Sequence, residues 1–230
     1  MQHVLFAFFM ILLTVVAYSL MTLLYKRYSY SFLIPILTAT ILIILILLLF
    51  HIPYKSYMAG GQWINSLLGP SVAALAYPLY KQRYFLLNHF FTILGGVLVS
   101  AISGMVTVGL LAKILGINHT LILSIIPKSL TTPVAIEVAR GLEGNASMTI
   151  VSCLIAGIFG VIVAPTIFKY LRVQSPIGRG IALGSASHSM GTSKAAEYSE
   201  LTFSMSSVTM TLCAILGSFL GPIVAWLFHI

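Results

Sequence analysis

The chain contains no aspartate, and its four acidic residues are all glutamate: Glu137, Glu143, Glu197 and Glu200. That absence excludes aspartyl dyads, Ser-His-Asp triads and an aspartyl-phosphate intermediate. No GxSxG elbow and no Walker A loop occurs either. With so few carboxylates a one-chain ATP-driven pump is excluded. Charge of either sign is scarce: 7% of residues, against about 25% in soluble domains. A surface this poor in charge does not stay in water. There are two cysteines, Cys153 and Cys213, each inside an apolar run; they read as buried hydrophobe-like thiols rather than a disulfide framework. The nine methionines show no metal-ligand spacing. The composition therefore points to a protein that is not an enzyme, with no catalytic residues, no metal and no cofactor.

What is present is oil. Of 230 residues 59% are hydrophobic, and the mean hydropathy is +1.06. The expected class is an all-α integral membrane protein. The net charge of +8 comes from twelve basic residues scattered in ones and twos between apolar runs. That is the pattern of cytoplasmic membrane loops. A nucleic-acid surface would cluster them, so no nucleic-acid partner is expected. The first run, with no basic n-region and no small-residue cleavage site, reads as a transmembrane helix rather than a signal peptide. Spans are predicted over 4–25, 30–50, 58–80 (broken by Gly69-Pro70 and by Pro78), 86–112, 146–168 and 201–228. Gly69 and Pro70 mark a hinge or the end of a half-helix.

Two segments depart from this pattern. INHTLILSIIPKSLTTPVAIEVARG, residues 117–141, carries Pro127 and Pro133 six positions apart beside Lys128, Glu137 and Arg140. Two prolines in one span argue against a continuous helix. GSASHSMGTSKAAEYSE, residues 184–200, holds half of the acidic residues and seven hydroxyl side chains. The segments are also related. Sliding 127–167 onto 187–227 without a gap matches ten of 41 pairs, among them Ser129/Ser189, Thr132/Thr192, Ala135/Ala195, Glu137/Glu197, Thr149/Thr209, Cys153/Cys213 and Gly157/Gly217. The polar core T-x-x-A-x-E recurs in phase, a sign of duplication. If 117–141 dips in and returns, Lys169, Arg172 and Arg179 fall on the cytoplasmic side, as basic loop residues should. Residues 180–198 then dip in from that side. About 5–7 transmembrane helices plus two re-entrant segments, arranged as an inverted repeat, follow. The parts are N-terminal scaffold helices (1–57), a broken helix plus span (58–115), a first repeat (116–175) and a second (176–230), in one domain.

Irregular polar backbone at membrane depth is tolerated where it is buried in protein or lines a cavity, and charges there mark pathways. Lys128 and Lys194 are suited to neutralise an anion. Ser129, Thr131, Thr132, Ser185, Ser187 and Thr192 are suited to donate to its oxygens, with Gly191 in the same segment. His188, Glu137 and Glu197 are the candidates to carry a coupled proton. The plainer alternative for the glutamates is a local i, i+3 ion pair, Glu137 with Arg140 and Lys194 with Glu197. For the hydroxyls it is interhelical glue. A hydrolase built on Ser185 or Ser187 with His188 is disfavoured, since neighbouring residues rarely reach nucleophile–base geometry.

Three stretches carry a family resemblance: NSLLGPSVAALAYPLYKQ at 65–82, IIPKSLTTPVAIEVARGLEG at 125–144 and RGIALGSASHSMGTSKAAE at 179–197. In order and spacing, over essentially the whole chain, they resemble the LrgB/CidB family. Lys128, Ser129, Thr131, Thr132 and Pro133 match its first signature; Ser187, His188, Gly191 and Thr192 match its second. The resemblance implies a multi-pass protein of the bacterial cytoplasmic membrane, antiholin-like, tied to murein hydrolase activity and autolysis. It implies a small LrgA/CidA-type membrane partner. A plant relative that carries glycolate and glycerate, and bacterial pairs associated with pyruvate movement, imply transport of small carboxylates of the glycolate, glycerate, lactate and pyruvate class. Two expectations stand side by side: a secondary carrier of such carboxylates, proton-coupled and homodimeric, or an interaction protein that modulates the small partner without transporting anything.

Overall fold

The computed structural model describes residues 2–28, 33, 35–74 and 76–227. The start of the expected 30–50 span and the last residue of the 201–228 span lie outside them. Among the described residues there is helix and no strand. Four helices among the described residues are long and apolar enough to cross a bilayer: Leu5–Tyr28, Phe90–Ile114, Ala146–Tyr170 and Glu200–Leu227. The chain is an all-α membrane protein. It separates into two compact units, Met1–Ser71 and Val72–Ile230.

The first unit holds α1 (Gln2–Tyr28), α2 (Pro35–Leu49) and α3 (Tyr54–Ser66). Between membrane helices small residues allow close approach, and Gly60 of α3 is one: a Cβ there would sit 2.5 Å from the Ala7 carbonyl oxygen. Thr14 and Tyr57 join α1 to α3 through their hydroxyls at 2.9 Å. The expected 58–80 run is divided into α3, α4 (Leu68–Ala74) and α5 (Ala76–Lys81). The break falls at Leu67, ahead of Gly69 and Pro70. Both of these sit in the first turn of α4, where the N–H that proline lacks would have no helical partner anyway.

The second unit continues through α6 (Arg83–Asn88) to α7 (Phe90–Ile114). A first polar hairpin follows: α8 (His119–Ile125), a 3-10 turn (Ile126–Ser129), extended backbone at Leu130 and Thr131, then α9 (Thr132–Gly141). Pro127 and Pro133 each fall in the opening turn of a helical segment, so they start segments instead of breaking one. The hairpin closes on itself. The Asn145 N–H donates to Ser124 Oγ at 2.7 Å, and Thr149 Oγ1 donates to the Ser124 carbonyl at 2.9 Å. The chain that leaves at Ser124 is thus back beside it at Asn145, where α10 (Ala146–Tyr170) begins.

The second hairpin is α11 (Pro176–Ala195), which reverses at His188 (φ 51°, ψ −127°). Eight residues of straight helix would span about 12 Å. Instead a Cβ added to Gly191 would overlap the Leu183 carbonyl. Only glycine permits this return. Its first arm packs on α12 (Glu200–Leu227) with almost no side chain between them: at Gly180 and Gly184 an added Cβ would meet the backbone of Thr202 and Ser206. The base of this hairpin lies at the far end of α10. Arg179 Nε donates to the Val173 carbonyl at 2.8 Å, and its guanidinium stands over the Phe168 and Tyr198 rings.

α10 therefore acts as a ruler of about 37 Å. The first hairpin starts at its N-terminus and the second at its C-terminus. The tip of the second reaches mid-helix, where an added Cβ at Gly157 would meet Met190 and at Gly160 Ser187. The hairpins enter from opposite ends. This is the inverted arrangement expected from the repeat.

Candidate functional site

The tips meet. His188 Nε2 lies 3.3 Å from the Lys128 carbonyl oxygen. A carbonyl only accepts, so Nε2 is the donor. Cys213 of α12 directs its thiol to the Ser129 carbonyl at 3.8 Å. An added Cβ at Gly217 would overlap Leu130 Cδ2, and one at Gly104 of α7 would sit 2.7 Å from Ser129 Oγ. The first tip is thus held by α7 and α12, the second by α10.

The helices position this junction through the residues that the sequence made special. Two prolines and one extended pair leave Lys128–Thr131 outside any α-helix. The left-handed backbone at His188, costly for a side chain bearing a Cβ, places its imidazole at the turn of α11 and 4% exposed. Three side-chain atoms at the tips are buried without a hydrogen-bond partner: Thr131 Oγ1, Ser187 Oγ and His188 Nδ1. Buried polar groups are nearly always paired, so three orphans in two short tips are exceptional. Lys128 is half-buried and makes no ion pair among the described residues.

The remaining candidates divide. Thr192 is buried and satisfied: its hydroxyl donates to the His188 carbonyl at 3.0 Å and meets Ser206 Oγ at 3.1 Å. Ser185 donates back to the Ile181 carbonyl at 2.6 Å, a bond within its own helix. Gly191 serves the return of the hairpin. Thr132 is half-buried as the first residue of α9, and Ser129 offers its carbonyl to Cys213. Lys194 pairs with Glu197 at 2.5 Å, and Arg140 with Glu137 at 2.7 Å. Both carboxylates are exposed and occupied by these i, i+3 pairs. Among the described residues no group of three or more His, Cys, Asp or Glu side chains is placed to hold a metal ion.

One residue escaped the sequence reading. Thr209 of α12 is fully buried, and its hydroxyl has no partner. Its repeat mate Thr149 binds the Ser124 carbonyl; the position that corresponds to Ser124 is Gly184, packed instead against Ser206. The signal was available in TFSMSSVTMT, residues 202–211, a run too polar for a lipid-facing helix. Seven consecutive residues there, 205–211, are buried.

The chain is similar along its whole length to bacterial proteins. The uncharacterized protein YxaC of Bacillus subtilis is 60% identical over 230 residues, covering 100% of each chain. The holin-like protein CidB of Staphylococcus aureus is 38% identical over 223 residues, 97% of each chain, and that of Staphylococcus epidermidis is 36% identical over 229 residues, 100% of each. No solved structure matches the chain. A family model described as LrgB-like matches residues 14–227. The chain belongs to the LrgB-like family.

Proposed function

We propose that the two tips form the binding site of a secondary carrier for small organic carboxylates. One observation carries this reading: the Lys128 cation, without a carboxylate partner among the described residues, shares the tip junction with the unpartnered Thr131 Oγ1, Ser187 Oγ and His188 Nδ1. A cation at membrane depth is expensive unless an anion compensates it. A carboxylate supplies that charge and accepts hydrogen bonds from the two hydroxyls. The opposed hairpins support the same reading, because they bring one junction within reach of both faces. Proton coupling enters through His188, whose Nδ1 is the open ring nitrogen. The setting is the bacterial cytoplasmic membrane, with transport feeding into the regulation of murein hydrolases.

The test is uptake of labelled glycolate, glycerate, lactate and pyruvate into proteoliposomes, with and without an imposed pH gradient. Saturable uptake by the wild type that is lost in Lys128→Ala supports a carrier. Absence of uptake for all four acids ends this reading.

The holin-like name of the staphylococcal relatives favours a second reading, an antiholin-like subunit that restrains a small LrgA/CidA-type membrane protein. It places function on lipid-facing surfaces. Pore activity of such a partner that changes equally with wild type and Lys128→Ala supports it.

A further inference from the structure

We propose that the outer face of α5 and α6 is a binding surface for the headgroup of an anionic phospholipid; the proposal stands apart from the carrier reading. The two short helices meet at Gln82, and their side chains divide at helical spacing. Leu79, Phe85 and Leu86 turn inward and pack on the core around Ile93, Val97 and Met205. Gln82 Nε2 donates to Ser204 Oγ of α12 at 3.1 Å. Tyr77, Tyr80, Tyr84 and Leu87 turn outward, each 65–69% exposed. Such a stripe is unsuited to water. Three of its four members are tyrosines, the residue type that settles at headgroup level, ring in the apolar region and hydroxyl in the polar one.

The stripe also carries charge. The Arg83 guanidinium lies 4.4 Å from the centroid of the Tyr80 ring and 4.6 Å from that of Tyr84. One of its N–H groups donates to the Tyr80 carbonyl at 3.1 Å; a guanidinium carries five. The rings and this bond hold the fork in place without neutralising it. Among the described residues no carboxylate pairs with Arg83 or with the exposed Lys81 beside it. Ile177 and Ile181 share the cluster of Leu79, so the segment lies at the base of the second hairpin. Lys169 and Arg172, at the same end, likewise lack a carboxylate partner among the described residues. Unpaired cations at headgroup level call for an anion. A held, planar fork matches a phosphodiester, which accepts two parallel N–H bonds from it. Leu87 and the tyrosine rings then lie against the acyl chains. A zwitterionic headgroup offers the same phosphate but sets its own cation against Arg83 and Lys81, so the surface favours an anionic lipid.

Native mass spectrometry of the purified full-length protein, released from detergent with equimolar phosphatidylglycerol and phosphatidylcholine of identical acyl chains, counts the lipids retained. Wild type is expected to retain phosphatidylglycerol over phosphatidylcholine by roughly tenfold. The Lys81→Gln/Arg83→Gln double variant should fall towards equal retention. Arg83→Lys keeps the charge but loses the fork, and should lose most of the preference too. Lys169→Gln/Arg172→Gln removes the same charge at the same end and should keep the preference. Equal retention of the two lipids by wild type overturns the proposal. So does an equal loss in the two double variants, which would reduce the effect to diffuse surface charge, and so does a preference unchanged in Arg83→Lys. Displacement of phosphatidylglycerol by inorganic phosphate alone would make the ligand a free anion and overturns the lipid assignment. A cooperative melt checks the fold of each variant. Where an Arg83 variant does not fold, Lys81→Gln alone, at an exposed position, should lower the ratio and serves in its place; a ratio unchanged there overturns the proposal as well.

Discussion

Lys128 and His188 occupy the same place in the internal repeat, and they touch: His188 Nε2 lies 3.3 Å from the carbonyl oxygen of its mate, sixty positions earlier. A residue meets its own repeat mate where a local two-fold axis passes between them. The surroundings obey the same symmetry. Gly157 of α10 receives Met190 from the second tip, and its mate Gly217 of α12 receives Leu130, the mate of Met190, from the first. Each tip packs on the long helix of the other repeat. Neither half can therefore build the junction alone.

The doubled-back α11 depends on a missing side chain. Gly191→Ala would force a methyl into the Leu183 carbonyl. The expected cost is about 1–3 kcal/mol, the range for overpacking. Gly95→Ala in α7, where nothing lies within 4 Å of the added atom, should be neutral or stabilising by up to about 1 kcal/mol. Thermal unfolding of the purified variants in detergent checks the pair.

Closure of the first hairpin depends on one hydroxyl. Ser124 is fully buried and accepts from the Asn145 N–H. Ser124→Ala leaves that donor without an acceptor and should cost about 1–2 kcal/mol. Ser193→Ala, which removes only an exposed bond to the Ser189 carbonyl, should stay within about 0.5 kcal/mol. Chemical denaturation of the two proteins side by side decides this.

The opposed entry of the hairpins has a topological consequence. Gln174, in the turn after α10, should face the cytoplasm together with Lys169, Arg172 and Arg179. Asn118, at the cap of α8, should face the other side. Cys153 and Cys213 are buried, so they leave little background. A membrane-impermeant maleimide should label Gln174→Cys only after the inner face is opened, and Asn118→Cys in intact cells. Labelling of both from one face would refute the inverted arrangement.

The exposed pair between Glu137 and Arg140 should matter little to folding. Both side chains are mostly exposed, 70% and 61%, and such pairs contribute about 0–1 kcal/mol. Glu137→Gln should melt within a few degrees of wild type. Uptake by the same variant under a pH gradient tests the coupling role that the repeat of Glu137 and Glu197 suggested.

Much of this was legible in the linear chain. The poverty of charge determined the membrane setting, because no arrangement of these residues yields a hydrated surface. Pro127, Pro133 and the polar stretch 184–200 marked where regular helix would fail, since backbone restriction and hydroxyl density act locally. The in-phase repeat marked which positions correspond. The role of Ser124, the reversal at His188 and the orphaned Thr209 were not legible, because each depends on a residue far along the chain.

The sequence by itself determined an all-helical membrane protein with two polar interruptions related by duplication. Local chemistry is enough for that: apolar length, proline, glycine and charge bias act over a few residues. Re-entrant segments entering from opposite faces were also expected from the repeat and the charge bias; only the tertiary structure decided that the second reverses at His188, that its tip reaches the middle of α10, and that Lys128 and His188 meet. It also decided which hydroxyls are spent on the protein itself, as in Ser185 and Thr192, and which are left open, as in Thr131 and Ser187. Hydrogen bonds are satisfied pairwise in space, so a side chain's partners cannot be counted before the chain has brought them together.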